Sequence, residues 1–423
     1  MQTIDSLIKL DAILAECDAA SDDDALRAIF SRFRMDPSMW TAAGATADPL
    51  SDDYHAGQMA LYQRISGRIY TLKNEETPFD VEAAIRRPFP YSTGSVNTAG
   101  QHLVTIGQFL CCLDLPSGSR VLEFGPGWGN LTLALAALGY DVISVDVEAR
   151  FCTLIRERAA RLGLSVNVAN ADFSWVRSVA EPFDAIVFFE CFHHAADHLD
   201  LLRALHQALK PGGRVYLGAE PILADFPVPW GLRMDGQSLW SIRKFGWMEL
   251  GFSDDYFERA LEATGWCGTR RDLPAPGTLI LRRSDEPVRI AATSPRLGTI
   301  TGTRTDKGIA VYSGAEGYCL FGPYEALAPG RYVVAVEFEG GAPFAGSGVV
   351  DTCIGGGSNV LASRAFSAGG DGLPLSLSFD LQAACNDLEV RVWAAADFTA
   401  VITGVSIIRT VGSSPASFRA ANS

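Results

Sequence analysis

The chain has 423 residues, 48% hydrophobic and 20% charged, a composition that excludes both wholesale disorder and a single small module. Thirty-five Lys and Arg against 49 Asp and Glu leave a formal net charge of −14, which argues against nucleic acid and anionic lipid surfaces as partners. Nine cysteines with one adjacent pair, Cys111 and Cys112, and no C-x-x-C argue against a disulfide or zinc framework. Met1 to Leu14 lacks the basic start and small-residue cleavage site of a signal peptide, and the longest apolar runs, such as Ala185 to Phe189, are strand-sized. The expectation is a soluble, cytoplasmic protein with no integral membrane segment, compatible with a homo-oligomer.

Residues 1–90 read as helical, with apolar positions at helical spacing in Ala25, Leu26, Ile29, Phe30 and again in Met59, Leu61, Tyr62, Ile65. From about 100 to 285, β-branched runs alternate with Ala- and Leu-rich runs, which predicts βαβ units and a parallel sheet. Strands are expected at Arg120–Phe124, Asp141–Asp146, Ser165–Asn170, Asp184–Glu190, Arg214–Ala219 and Thr278–Arg282. Helices begin near Gly129, Val147 and Asp197; Gly139 and Gly163 stop the first two, and Lys210 to Gly213 form a turn. Beyond residue 286 come strands broken by Gly, Ser and Asn: Gly308–Tyr312, Arg331–Phe338, Leu375–Phe379, Glu389–Trp393 and Ala400–Ile408.

The strongest motif is Val121 to Asn130, a strand running into the glycine turn Gly125-Pro126-Gly127-Trp128-Gly129 that opens a helix. Such a turn lets a ligand press on bare backbone. The dinucleotide fingerprint wants a glycine where Asn130 stands, which weakens a nicotinamide reading. Glu123, Gly125, Gly127 and Gly129 together resemble the first motif of class I S-adenosylmethionine-dependent methyltransferases. The resemblance spans about residues 90 to 285 and implies S-adenosylmethionine as cofactor. On it, Asp146 binds the ribose hydroxyls, Asp172 and Phe173 read the adenine, and Glu190 closes the fourth strand beside the cofactor. Tyr91 and Thr93, within Phe89 to Ser95, resemble a stretch that encloses the cofactor in bacterial surface-glycan methyltransferases, and the same residues also suit a turn.

The expected fold class is therefore α/β: a Rossmann-like doubly wound sheet over 91–285, an N-terminal helical region over 1–90, an all-β, jelly-roll-like sandwich over 286–412 and a frayed tail over 413–423. A sulfonium methyl needs an aligned nucleophile more than a metal, and no metal is expected. A hydroxyl nucleophile needs a base. His193 or His194, just past the fourth strand, is the first candidate and Glu220 the second; packing is an equal alternative for the histidines, and Asp197 either orients a histidine or, the favoured reading, caps the following helix. The insert from Pro229 to Phe252 carries Trp230, Arg233, Trp240, Arg243 and Trp247, rings and cations suited to an acceptor lid or, equally, to a core.

This insert also resembles that of surface-glycan methyltransferases, and Tyr318 to Tyr332 resembles β-sandwich modules of glycan-processing proteins, implying a carbohydrate-binding role. Asp351 and Asp371 are candidate calcium ligands, though isolated loop acids are usually solvated. Three readings stay open: an O-methyltransferase acting on a sugar of a bacterial surface polysaccharide or its precursor, one acting on a natural product or aglycone, and a glycan-binding protein with a catalytically silent scaffold.

Overall fold

The computed structural model describes residues 2–36, 46–86, 95–271, 277–339, 344–367 and 375–410. The chain divides into two compact units, Met1–Trp266 with Asp272–Leu281, and Cys267–Arg271 with Arg282–Ser423.

The first unit holds the parallel strands of a seven-stranded sheet. The sheet's strands are β1 (Arg120–Phe124), β2 (Asp141–Asp146), β3 (Asn167–Asn170), β4 (Phe183–Phe189), β5 (Leu209–Gly218), β6 (Trp266–Arg271) and β7 (Thr278–Arg283), in the order β6-β7-β5-β4-β1-β2-β3. β1 to β5 run parallel and β7 is antiparallel to β5. The order reverses between β1 and β4, and at that switch point the carboxyl ends of an open sheet leave a crevice. Register sets those ends level: Phe124 pairs with Val145 and Phe188, Asp146 with Asn170, and Phe189 with Gly218.

Local chemistry explains the boundaries. Gly129 takes φ 76° at the start of helix Asn130–Ala137, where a Cβ would lie 2.5 Å from Ile155, so only glycine fits. Gly163 stops helix Ala149–Leu162 at φ 66°. The expected turn at Lys210 to Gly213 instead lies inside β5: pairing jumps from Phe183–Leu209 to Ala185–Arg214, and this irregularity absorbs the extra residues. Asp197 precedes helix His198–Ala208 but makes no cap bond; its carboxylate lies 3.4 Å from His55 Nε2.

Residues before the glycine turn form helices such as Leu7–Cys17, Asp52–Ser66 and Val96–Cys112, together with a parallel pair, Gln2–Ile4 with Phe33–Met35. The insert is a folded piece: strands Ile222–Leu223, Trp230–Leu232 and Leu250–Ser253 pair with one another, and helix Gly236–Lys244 follows an Asp235 cap. No described helix is long and apolar enough to cross a membrane.

The second unit carries a six-stranded and a five-stranded antiparallel sheet. Val334, Val336 and Val405 of one share a core with Val350, Val390 and Val392 of the other, the arrangement of a β-sandwich. Buried Glu325 is held by both Arg282 and Arg296. Asp351 is gripped by Arg391 at 2.7 and 3.1 Å and so is engaged with a cation already, while Asp371 lies outside the described residues.

Candidate functional site

Above the level strand ends of the first unit lies a cavity of about 1490 Å³. One wall is the glycine turn. Gly125 has φ 58°, and a Cβ there would meet Cys191 at 2.6 Å; Gly127 has φ 51°, and a Cβ there would meet nothing within 4 Å. Gly127 thus presents bare main chain to open space. Its N–H donates to Asp146 Oδ2 (3.1 Å), and Glu148 N–H donates to Oδ1 (2.8 Å), fixing the carboxylate at the end of β2. Burial pushes the Asp146 carboxyl up to about 6 against these two bonds.

Asp172 caps the short turn after β3 by accepting from Ser174 N–H (2.7 Å), and Phe173 sets its edge on Phe124 and Phe188. Glu190, exposed at φ 55°, follows β4 and faces His102 Nδ1 at 3.3 Å. Phe79, Trp128 and Phe151 close the rim as an aromatic trio with centroids 4.9 to 5.2 Å apart.

The opposite wall is a knot of imidazoles and carboxylates. Glu220 accepts from the N–H groups of Cys191, Phe192 and His193 (2.9, 2.9 and 3.1 Å) and pairs with His193 Nδ1 at 2.8 Å. These four bonds fill the accepting capacity of a carboxylate, so Glu220 positions the loop rather than serving as a base. The other ring nitrogen of buried His193 lies 3.5 Å from Glu249 Oε2. Burial would lower the His193 pKa, but Glu220 and then Glu249 outweigh it and lift it to about 9. Partial burial would raise the Glu249 carboxyl, and His193, His194 and Arg233 nevertheless pull it down to about 2. His194 Nδ1 lies 3.0 Å from Glu75 Oε2, and Glu75 Oε1 accepts from Met248 N–H (2.9 Å).

The structure brings Gly125, Gly127, Asp146, Asp172, Phe173, Glu190, His193, His194, Glu220, Arg233, Trp240 and Trp247 onto this one cavity. It does not bring the other candidates there. Glu123 is buried beneath the turn, accepting from Thr132 (2.5 Å) and Ser144 (3.1 Å), and burial raises its carboxyl to about 7. Gly129 is the helix start described above. Trp230 is a core residue, 1% exposed, stacked on His55 and tilted against His198. Arg243 clamps Asp11 at 2.7 and 2.9 Å. Tyr91 and Thr93 lie outside the described residues.

Glu75, His102 and Phe79 come to the site from the N-terminal side, where nothing in their local sequence marks them; Glu249 stood in the insert without an assigned role. Buried Cys191 donates to Phe124 C=O at 3.0 Å, and burial holds its thiol far above the ordinary range, so it is no nucleophile.

Residues 105–268 match a family model described as a methyltransferase domain. Over 96 residues the chain is 35% identical to the ubiquinone biosynthesis O-methyltransferase of Cereibacter sphaeroides, covering 23% of this chain and 39% of that protein. The protein of the same description from Xanthomonas axonopodis pv. citri is 31% identical over 103 residues, covering 24% and 43%. The chain thus spans about two fifths of the length of the curated relatives it matches. Among solved structures, the YcgJ protein from Bacillus subtilis aligns with a TM-score of 0.34 and 18% identity over 40% of this chain and 71% of its own.

Proposed function

We propose that this chain, whose first unit carries a class I S-adenosylmethionine-dependent methyltransferase domain, methylates a hydroxyl of a sugar in a bacterial surface polysaccharide or its precursor. The residues fit the cofactor. Gly127 leaves the space a side chain would take, and each Asp146 oxygen keeps accepting capacity beyond its one backbone bond. Bound S-adenosylmethionine supplies a methyl group activated by its positively charged sulfur.

The chain's own residues divide the remaining tasks. Main chain at Gly125 and Gly127, with Asp146, holds the nucleoside; Asp172 and Phe173 face its base. Phe79, Trp128 and Phe151 exclude water from the rim. Arg233, Trp240 and Trp247 line the acceptor end, and the Trp247 indole N–H is buried without a partner among the described residues, a donor ready for an acceptor oxygen. The acceptor proton passes to His194, whose Nδ1 is held by Glu75.

The observation that carries this reading is the single cavity joining a glycine turn and ribose-type carboxylate at one end to two imidazoles oriented by carboxylates at the other. A basic wall suits a hydroxyl, which must lose a proton as it attacks. The sugar rests on the flat rings and guanidinium of the insert and on the glycan-module resemblance of the second unit, which would hold the longer chain.

A natural-product or aglycone acceptor is the second reading. It is favoured by the stacked Phe245 and Trp247 rings, 4.8 Å apart on the cavity wall, which suit a planar guest. Transfer of labelled methyl from S-adenosylmethionine to a panel of sugars, nucleotide sugars and phenols separates the two. Labelled sugar ether supports the proposal; labelled phenols alone would transfer the assignment to the second reading. His194→Ala should lower turnover about 10²- to 10⁴-fold at unchanged cofactor affinity.

A further inference from the structure

We infer that His193, His194 and Glu249 bind a divalent transition-metal cation at the acceptor end of the cavity. One ligand atom from each lies within 4.8 Å of the others, and all three residues face the cavity. Three protein ligands with positions left open is the composition of a catalytic rather than a structural zinc-type site, and a donor set of two imidazoles and a carboxylate selects borderline cations over magnesium or calcium.

The spacing supports a cation between these groups. His193 Nε2 and Glu249 Oε2 are 3.5 Å apart. That is long for a hydrogen bond between oppositely charged groups, yet near the roughly 3.3 Å that separates two ligands about 2.05 Å from one tetrahedral ion.

The surrounding residues are an independent observation. Both imidazoles have Nδ1 engaged by a carboxylate, His193 by Glu220 (2.8 Å) and His194 by Glu75 (3.0 Å). This leaves Nε2 of each ring for the ion, and carboxylate–histidine pairing is how proteins orient and strengthen imidazole ligands. The two supporting carboxylates are themselves tied down by backbone, Glu220 by three N–H groups and Glu75 by Met248 N–H.

Charge points the same way. Glu75, Glu220 and Glu249 surround two imidazoles, with Arg233 on Glu249 at 3.1 Å as a counter-charge. Arg233 is shared with Asp235 at 3.2 Å, so with both imidazoles neutral, as ligation requires, the carboxylates outnumber the cations and the group favours a bound cation.

A cation here would also address what imidazole does poorly: an aliphatic hydroxyl is a far weaker acid than imidazolium, whereas zinc lowers the pKa of a bound water from about 15.7 to about 7. This last point rests on the O-methyltransferase reading and favours acceptors that offer two neighbouring oxygens, such as a vicinal diol. Cation binding itself does not rest on that reading.

The test uses the full chain, stripped with a chelator and titrated calorimetrically with Zn²⁺, with metal content read by mass spectrometry and S-adenosylmethionine affinity measured in parallel. One Zn²⁺ per chain is expected, with a loss of at least about 100-fold in affinity in Glu249→Gln and in His194→Ala, and of about 10- to 100-fold in Glu220→Gln. Co²⁺ in place of Zn²⁺ should give visible absorption bands of a four- or five-coordinate site, absent from both ligand variants. Asp146→Ala should lose cofactor affinity and keep its Zn²⁺, so a failed cofactor reading and a failed metal reading give different results. Wild type that takes up no stoichiometric Zn²⁺, or a folded Glu249→Gln that binds it as tightly as wild type, overturns the inference.

Discussion

Replacing Glu123 with Gln should make the first unit more stable above neutral pH than the wild type. Glu123 is 1% exposed, and its hydrogen-bond donors are the hydroxyls of Thr132 and Ser144. Burial, opposed by those two bonds, lifts its carboxyl from 4.5 to about 7. The folded state therefore holds this proton more tightly than the unfolded state. Stability is complete below about pH 4.5, declines as pH rises, and levels off above about 7. At about 1.4 kcal/mol per pH unit, the decline is about 3 kcal/mol in all, most of which falls between pH 5 and pH 8.

Glutamine has the shape of the protonated acid, with a donor on one arm and an acceptor for both hydroxyls on the other, and it does not titrate. The difference in unfolding free energy between Glu123→Gln and wild type, from urea titrations followed by tryptophan fluorescence, should thus grow by about 2–3 kcal/mol from pH 5 to pH 8. Subtracting the two proteins at each pH cancels the titrating groups that Glu123 does not touch; Asp146, which repels the Glu123 carboxylate, adds to the same difference. A difference that stays flat across that range would refute the assignment of Glu123 as a buried carboxyl that ionises near neutrality.

Asp146→Ala should weaken S-adenosylmethionine binding by at least about tenfold in calorimetry, since it removes a buried carboxylate offered to two hydroxyls. Gly129→Ala places a Cβ 2.5 Å from Ile155 at φ 76°, and a loss of about 1–3 kcal/mol in urea titration is expected. Trp230→Ala should cost about 3–5 kcal/mol of stability, whereas Trp247→Phe should raise the acceptor KM and leave the denaturation midpoint in place, because only the second ring lines the cavity. Glu325→Ala strips two arginines of their shared carboxylate and should cost about 3–5 kcal/mol, seen as an earlier unfolding transition of the second unit.

The succession of strands along the chain and the place of the glycine turn were legible because both follow from short-range rules. Alternation of β-branched and Ala/Leu-rich runs sets a parallel sheet, and closely spaced glycines after a strand report a backbone conformation that other residues avoid. The position of Asp146 at a strand end was legible for the same reason, since register pairs it with Asn170, and Asp172 follows two residues beyond that strand.

What only the tertiary structure decided is the direction each side chain faces and which distant groups meet. Glu123 and Gly125 lie two residues apart, yet the turn leaves one beneath the sheet edge and the other on the cavity. Trp230 and Trp247 have similar surroundings in sequence; pairing of Trp230 with Phe252 places one in the core, while the loop after helix Gly236–Lys244 leaves the other on the wall. Glu75 reaches His194 from 119 residues away, and Glu249 reaches His193 from the insert. Local propensity carries no record of such meetings, since charge pairing across long loops is settled by how the elements pack and not by the residues beside each partner.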